Sequence, residues 1–281
     1  MRHFDRRQIH AVIAAKRVVL RQIPSPPDEG LGDLSNSISI VLVLPRFADS
    51  ECMTLAFERR KVVVCLGTII TCLILANIGS LVLKYCFGDG HVLGLVPLFE
   101  LDKEKNIPTL YSSMTLLFSS SLLSIIAVAR KKNRDRDYLH WIALAAVFLF
   151  LSIDEFVTLH EQFNSLVRNA LNTSGFLFFA WVIPYGMFVL ILILVYMRFF
   201  LRLPAKTRNL TGFAAVIYIG GAIGFELIGG HYIALHKNDL TYGLITTCEE
   251  SLEMIGVLCF ISALLSYIES EFGSIYLRVG R

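Results

Sequence analysis

Residues 241–268, TYGLITTCEESLEMIGVLCFISALLSYI, decide the fold class of this chain. The segment exceeds the ~20 residues with which a helix crosses the hydrocarbon core of a bilayer. Its only charged residues are Glu249, Glu250 and Glu253. So apolar a stretch predicts a transmembrane helix. The three glutamates raise the question of function, because a carboxylate is costly at membrane depth.

Five further apolar segments of comparable length precede this one. The chain of 281 residues is 55% hydrophobic and only 17% charged, whereas an average soluble domain has about 25% charged residues. We therefore predict an all-α fold, an integral membrane bundle of six transmembrane helices. The predicted spans are residues 62–86, 110–130, 139–163, 175–201, 210–235 and 241–268.

The distribution of lysine and arginine orients this bundle. From residue 59 onward, 14 basic residues flank the membrane side that holds both chain ends, and 5 flank the opposite side. Basic loops remain in the cytoplasm during insertion, so we expect cytoplasmic N- and C-termini and a multi-pass protein of the cell (inner or plasma) membrane. The clusters are short and sit at span ends, so lipid is the expected partner and nucleic acid is not.

The chain divides into three predicted parts. Residues 1–60 form a basic, poorly ordered N-terminal cytosolic extension, residues 61–270 the transmembrane domain, and residues 271–281 a short cytosolic tail. An alternative start of translation at Met53 would remove most of the extension, because the sequence from Met53 leads straight into the first span.

Seven carboxylates and two histidines lie in the outer halves of the third, fifth and sixth predicted spans. At a rise of 1.5 Å per residue, Asp154 lies about 22 Å and Glu226 about 24 Å from the cytoplasmic ends of their spans. Three helices thus deliver acidic groups to the outer half of the bilayer. The candidate site residues are Asp154, Glu155, His160, Glu161, Glu226, His231, Glu249, Glu250 and Glu253.

Helical phase refines this set. The three glutamates of the sixth span lie within an arc of about 100°, and Asp154 and Glu161 differ by only about 20°. On the same geometry Glu155 and His160 point elsewhere. Glu226 and His231 are about 140° apart, so one centre cannot receive both without distortion.

Carboxylates in a low dielectric need a metal ion, a proton or a basic partner. The first hypothesis is a divalent metal site of iron or manganese, with zinc less favoured, in a metalloenzyme that acts on lipids. The second is a proton- or cation-coupled transporter, for which six spans suggest a homodimer. The third is a structural or assembly subunit that hydrogen-bonds its acids.

A proline, a glycine pair and an acidic loop lead to three further structural predictions. Pro184, inside the fourth predicted span, should kink it. Gly220 and Gly224 have the spacing that allows a neighbouring helix to pack closely. The acidic loop of residues 98–104 is expected to be solvated rather than to cap the site.

Four strings resemble those of an uncharacterised bacterial family of six-span membrane proteins. The resemblance covers about residues 55–270 and implies the same six-span fold, but no activity and no catalytic residue. The strings are LFELDKEKNIPTLYSS at residues 98–113, FLSIDEFVTLHE at 150–161, WVIPYG at 181–186 and EESLEM at 249–254.

Overall fold

A computed structural model describes residues 40–43, 58–88, 94–273 and 275–278 of the protein. Within these residues, six helical segments are long and apolar enough to cross a membrane, which confirms the predicted all-helical bundle. The helices are α1 (Arg59–Cys86), α2 (Leu95–Phe99), α3 (Ile107–Lys132), α4 (Tyr138–Val157), α5 (Leu159–Leu171), α6 (Val182–Arg202), α7 (Ala205–Ile219), α8 (Glu226–Leu235) and α9 (Leu240–Phe272).

The spans are α1, α3, α4, α6, the continuous α7–α8 segment and α9. We call the membrane side on which α1, α4 and α8 end the distal side. The proximal side, where α1 begins and α9 ends, holds both ends of the bundle because the number of spans is even.

A short two-stranded sheet joins the segments that flank the bundle. Strand β1 (Ile40–Val43) pairs in parallel with β2 (Ile275–Arg278), with Ile40 opposite Ile275. Apart from residues 58–60, the rest of the predicted N-terminal extension, including the alternative start at Met53, lies outside the described residues, and both expectations stay predictions.

Helix α9 is the centre of the bundle. It packs against α1, α3, α7 and α8. Of its most apolar stretch, 61% is buried within the protein, compared with 11% for α6. Because most of α9 is buried among other helices, the polar groups on its buried faces must find partners within the protein.

The third predicted span is wrong at its distal end. Helix α4 ends at Val157, and Thr158 adopts the left-handed conformation with φ 63°. The chain then starts the amphipathic helix α5, which has no buried residue. The reason lies in Asp154, whose side-chain Oδ1 accepts the backbone N–H of His160 at 2.9 Å and so satisfies a donor in the first turn of α5.

The predicted kink at Pro184 is also wrong, because the fourth span starts later than predicted. Helix α6 begins at Val182, which puts Pro184 in its first turn. Backbone N–H groups of the first turn have no intrahelical acceptor, so proline is tolerated there. Residues Gly175–Leu177 form a separate turn of 3₁₀ helix.

The fifth span contains a π-helical segment, Gly220–Phe225, between α7 and α8. The segment approaches α9 closely at Gly221, where an added Cβ would lie 2.8 Å from the backbone oxygen of Glu249. At Gly220 and Gly224 an added Cβ would meet nothing within 4 Å, so the predicted packing role of that pair is wrong. The π-helical turn rotates the helix face by one residue, and this brings Gly221 against α9.

Candidate functional site

Five glutamates from three spans come together in the distal half of the bundle. Glu226 lies nine residues before the distal end of its span at Leu235, and Glu249 nine residues after the start of α9 at Leu240. We call these five residues the carboxyl cluster. They are Glu155, Glu226, Glu249, Glu250 and Glu253.

Glu226 and Glu249 form the contact between α8 and α9. Their side chains share a hydrogen bond, and Glu226 also accepts the indole N–H of Trp181 at 2.7 Å. Glu249 is 9% exposed. Two ionised carboxylates offer only acceptor atoms, so their hydrogen bond requires one proton on the pair.

The other three members of the cluster interact electrostatically with one another. Glu253 interacts with Glu155 and Glu226, and Glu250 interacts with Glu253, Glu155 and Glu226. Helical spacing puts Glu249, Glu250 and Glu253 on one face of α9, where Gly221 lets the fifth span approach the backbone at Glu249. The compact set of like charges is therefore built by the tight crossing of the two spans.

His160 is the positive group beside the cluster. Its Nδ1 lies 3.5 Å from Oδ2 of Asp154 and its Nε2 lies 3.2 Å from Oε1 of Glu104. Burial alone would lower the pKa of His160, but the two carboxylates outweigh it and raise the pKa to about 11. The imidazole is therefore a cation at neutral pH, held between two acids.

The helix break at Thr158 creates this arrangement. The expectation that Asp154 and Glu161 share one helix face is wrong, because no single helix contains both: Asp154 is 5% exposed whereas Glu161 is exposed to solvent. The expectation that Glu155 and His160 point away from the site is also wrong. Glu155 joins the cluster and His160 folds back onto Asp154.

His231 lies apart from the cluster. Its ring stacks on Phe176, with ring centroids 4.1 Å apart, and its Nδ1 is buried without a hydrogen-bond partner. Glu226 faces α9 and Trp181 instead. The angular separation of Glu226 and His231 along the fifth span agrees with this placement.

The acidic loop of residues 98–104 caps the distal end of the bundle, so the expectation of a solvated loop is wrong. Glu100 is 1% exposed and pairs with Lys84 and with Lys103, the latter at 3.2 Å. The loop is anchored by Asn77, whose Oδ1 accepts the backbone N–H of Leu101 at 2.9 Å. The anchoring holds Glu104 where it meets His160.

A family model described as Domain of unknown function (DUF8692) matches residues 64–268. The chain belongs to this family. Neither a curated protein nor a solved structure matches the chain. Membership of an uncharacterised family, as the resemblance implied, is confirmed.

The DUF8692 region contains every residue of the carboxyl cluster and its surroundings. Within the described part of the chain, no group of three His, Cys, Asp or Glu side chains is arranged to hold a metal ion. The acids are instead paired with one another, with Trp181 or with His160. The predicted divalent metal therefore lacks a ready set of ligands among these residues and stays a prediction.

Sequence analysis of this DUF8692 chain missed three neighbours of the site. Glu104 pairs with His160, Trp181 donates to Glu226, and Tyr185 lies beside the His160 ring with centroids 6.4 Å apart. The acidic loop was a visible signal for Glu104. Trp181 and Tyr185 had none beyond the usual preference of aromatic residues for membrane interfaces.

Proposed function

We propose that this protein is a proton-coupled membrane transporter whose coupling proton binds to the carboxyl cluster. The observation that supports this function best is the hydrogen bond between Glu226 and Glu249. That bond exists only when the pair holds a proton, and it breaks or rearranges when the proton leaves.

Charge balance supports protons as the compensating cations. In the ion pairs of residues 58–88 and 94–273, no lysine or arginine is a partner of a cluster glutamate. His160 supplies one positive charge, which Asp154 and Glu104 share. Five carboxylates in a site of low dielectric cannot all be ionised without partners, so several of them bind protons.

Two irregular backbone segments next to the cluster supply a means of coupling. The π-helical turn Gly220–Phe225 immediately precedes Glu226, and left-handed Thr158 follows Glu155 by three residues. π-helical turns inside helices occur frequently at functional sites. A change in the protonation of Glu226 would alter the contacts that hold this turn in its π-helical form.

In this proposal the proximal side faces the cytoplasm, because the basic residues concentrate there. Protons then enter from the distal, extracytoplasmic side across the cell membrane. The homodimer expected for a six-span transporter stays a prediction, as do the metalloenzyme and the assembly subunit.

Proton binding can be tested without knowing the transported substrate. Purified protein in liposomes is adsorbed on a solid-supported membrane, and the charge displaced by a rapid pH step is recorded. We expect a transient current from the wild type and its loss in Glu249→Gln. Glu271→Gln, which removes an acid at the proximal end of the same helix, is the matched control and should keep the current.

A metal measurement separates the two leading interpretations. Iron, manganese or zinc bound in a stoichiometric amount by the wild type and lost in Glu250→Ala would favour the metal site. A wild type that displaces no more charge than protein-free liposomes would contradict proton coupling.

A further inference from the structure

Helix α5, Leu159–Leu171, has one apolar face and one polar face. At 100° per residue, five of its apolar side chains fall within an arc of about 100°. Polar and charged residues occupy most of the remaining circumference. Such a pattern is typical of a helix at the boundary between water and an apolar phase. The apolar face consists of Leu159, Phe163, Leu166, Val167 and Ala170.

One edge of the polar face attaches α5 to the bundle. His160, Asn164 and Arg168 follow one another at intervals of four residues, so they lie along one side of the helix. The Oδ1 atom of Asn164 accepts the backbone N–H of Ala180 at 2.7 Å. The Arg168 guanidinium lies 4.0 Å from the ring centroid of Phe178. Both partners precede α6, so α5 is docked against the chain that enters the fourth span.

The apolar face, in contrast, is left uncovered by this docking. Phe163 is 45% exposed and Leu166 is 66% exposed, and Ala170 is exposed as well. No residue of α5 is buried. Burial of a leucine or phenylalanine side chain contributes about 1.5–3 kcal/mol, so this face is stabilised by any apolar phase that covers it.

The position of α5 in the chain indicates which phase that is. The helix follows the distal end of α4 at Val157 and precedes α6, and both of these helices cross the membrane. It therefore lies at the distal boundary of the bilayer. The adjoining ends of the two spans expose the apolar side chains of Phe156, Val157 and Met187. The apolar face of α5 continues this lipid-facing surface.

We propose that α5 is a membrane-binding helix that lies in the distal headgroup layer of the bilayer that the protein spans. Phe163, Leu166 and Ala170 contact the acyl chains of phospholipids. Helices of this kind bury their apolar face about 5–10 Å into the boundary between headgroups and acyl chains. Ser165, on the polar side, stays in water.

The lipid contact bears on the candidate site through His160, the second residue of α5. The backbone N–H of His160 donates to Asp154 at 2.9 Å, and its ring nitrogens face Asp154 and Glu104. Because the helix holds its residues in fixed relative positions, lipid that anchors the apolar face also keeps this imidazole beside the carboxyl cluster. This role of α5 does not depend on proton coupling.

Photolabelling from lipid tests the contact in the wild-type protein. The full chain is reconstituted in phosphatidylcholine nanodiscs that contain a phosphatidylcholine with a diazirine on its acyl chain, close to the ester. Labelled residues are mapped by mass spectrometry after illumination. We expect label on Phe163 and Leu166, as on the exposed Met187 of α6, and none on Ser165 or on the buried Ile261 of α9.

Amide hydrogen exchange in the same lipid tests the link to His160. In a Phe163→Gln, Leu166→Gln double variant the lipid anchor is lost. We expect the amides of α5, including that of His160, to exchange at least about tenfold faster, because each side chain contributes more than 1 kcal/mol on burial. The Ser165→Gln, Asn169→Gln double variant changes two exposed polar residues of the same helix. It is the matched control and should exchange at the wild-type rate.

Label on Met187 without label on Phe163 and Leu166 would overturn the lipid contact, as would wild-type exchange rates in the Phe163→Gln, Leu166→Gln variant. An α5 that is both unlabelled and protected from exchange would mean that another protein surface covers it, which also contradicts the assignment to lipid. The labelling uses the wild type, so it decides the question even if the double variant folds poorly. None of these outcomes changes the proton that Glu226 and Glu249 share.

Discussion

Glu100 and Glu249 are both buried glutamates on the distal side of the bundle, and their surroundings differ in one respect. Glu100 is 1% exposed and pairs with two lysines. Glu249 is 9% exposed, and its partner is another acid, Glu226. Glu100, which is paired with lysines, anchors a loop. Two acids in contact, such as Glu226 and Glu249, need a proton between them.

The proximal side repeats the first pattern. Arg130 binds Glu271 at 2.6 Å and Asp135 at 3.2 Å, and it also donates to the Tyr267 hydroxyl. Both acids there have a basic partner. Burial of a carboxylate is therefore not itself the mark of function in this protein. The mark is that, in the ion pairs of the described residues, no lysine or arginine is a partner of a cluster glutamate.

The largest expected effect separates these two glutamates by activity. Glu226→Gln should slow the charge displacement that follows a pH step by about 100-fold, the scale on which the loss of a proton-transfer group slows a reaction. Glu100→Gln should retain most of the wild-type rate. Equal slowing in the two variants, measured on the solid-supported membrane, would erase the distinction.

Stability should show the opposite order. Glu100→Gln leaves Lys84 and Lys103 without their buried partner and should lower the free energy of unfolding by about 3 kcal/mol. The pair with Lys103 is more exposed, with 45% of the lysine side chain accessible, so Lys103→Gln should cost less than about 1 kcal/mol. Thermal unfolding in detergent measures both, and a Glu100→Gln protein as stable as Lys103→Gln would contradict the anchoring role.

A packing change sharpens the account of how the cluster is assembled. Gly221→Ala puts a methyl group 2.8 Å from the Glu249 backbone oxygen and should cost about 1–2 kcal/mol by forcing the spans apart. Gly224→Ala meets no atom within 4 Å and is the matched control. Chemical denaturation compares the two, and equal stabilities would mean that Gly221 does not set the crossing.

The smallest effect concerns His160. Because folding raises its pKa from 6.5 to about 11, its ion pairs stabilise the native state fully below pH 6.5. This stabilisation declines progressively as the pH rises and is gone above about pH 11. His160→Gln should therefore be less stable than the wild type by about 1 kcal/mol at pH 6. A gap that stays constant or widens between pH 6 and pH 10 would contradict the paired imidazolium.

Hydropathy and helical phase predicted much of this molecule. Uninterrupted apolar runs made the six spans visible, and the common face of Glu249, Glu250 and Glu253 followed from their spacing. The break at Thr158 and the π-helical turn before Glu226 did not. Neither has a proline at the point of change. The break depends on the local Asp154 cap on α5, and the π-helical turn depends on the crossing with α9 at Gly221.

For the candidate site, the sequence predicted the positions of the acids along their helices but not their partners. Acids from the third, fifth and sixth spans could be assigned to one level by counting residues. Their partners could not, because the role of Glu104 depends on a loop that Asn77 folds over the bundle. The Trp181 donor to Glu226 likewise comes from a segment far away in sequence.

The central claim is that Glu226 and Glu249 share a proton at neutral pH. Infrared difference spectroscopy of the protein in lipid at pH 7 measures this directly. The account predicts a protonated carboxyl band that shifts in D₂O and is lost in the Glu226→Gln, Glu249→Gln double variant. A wild-type spectrum without that band, or one identical to the spectrum of the double variant, would contradict it.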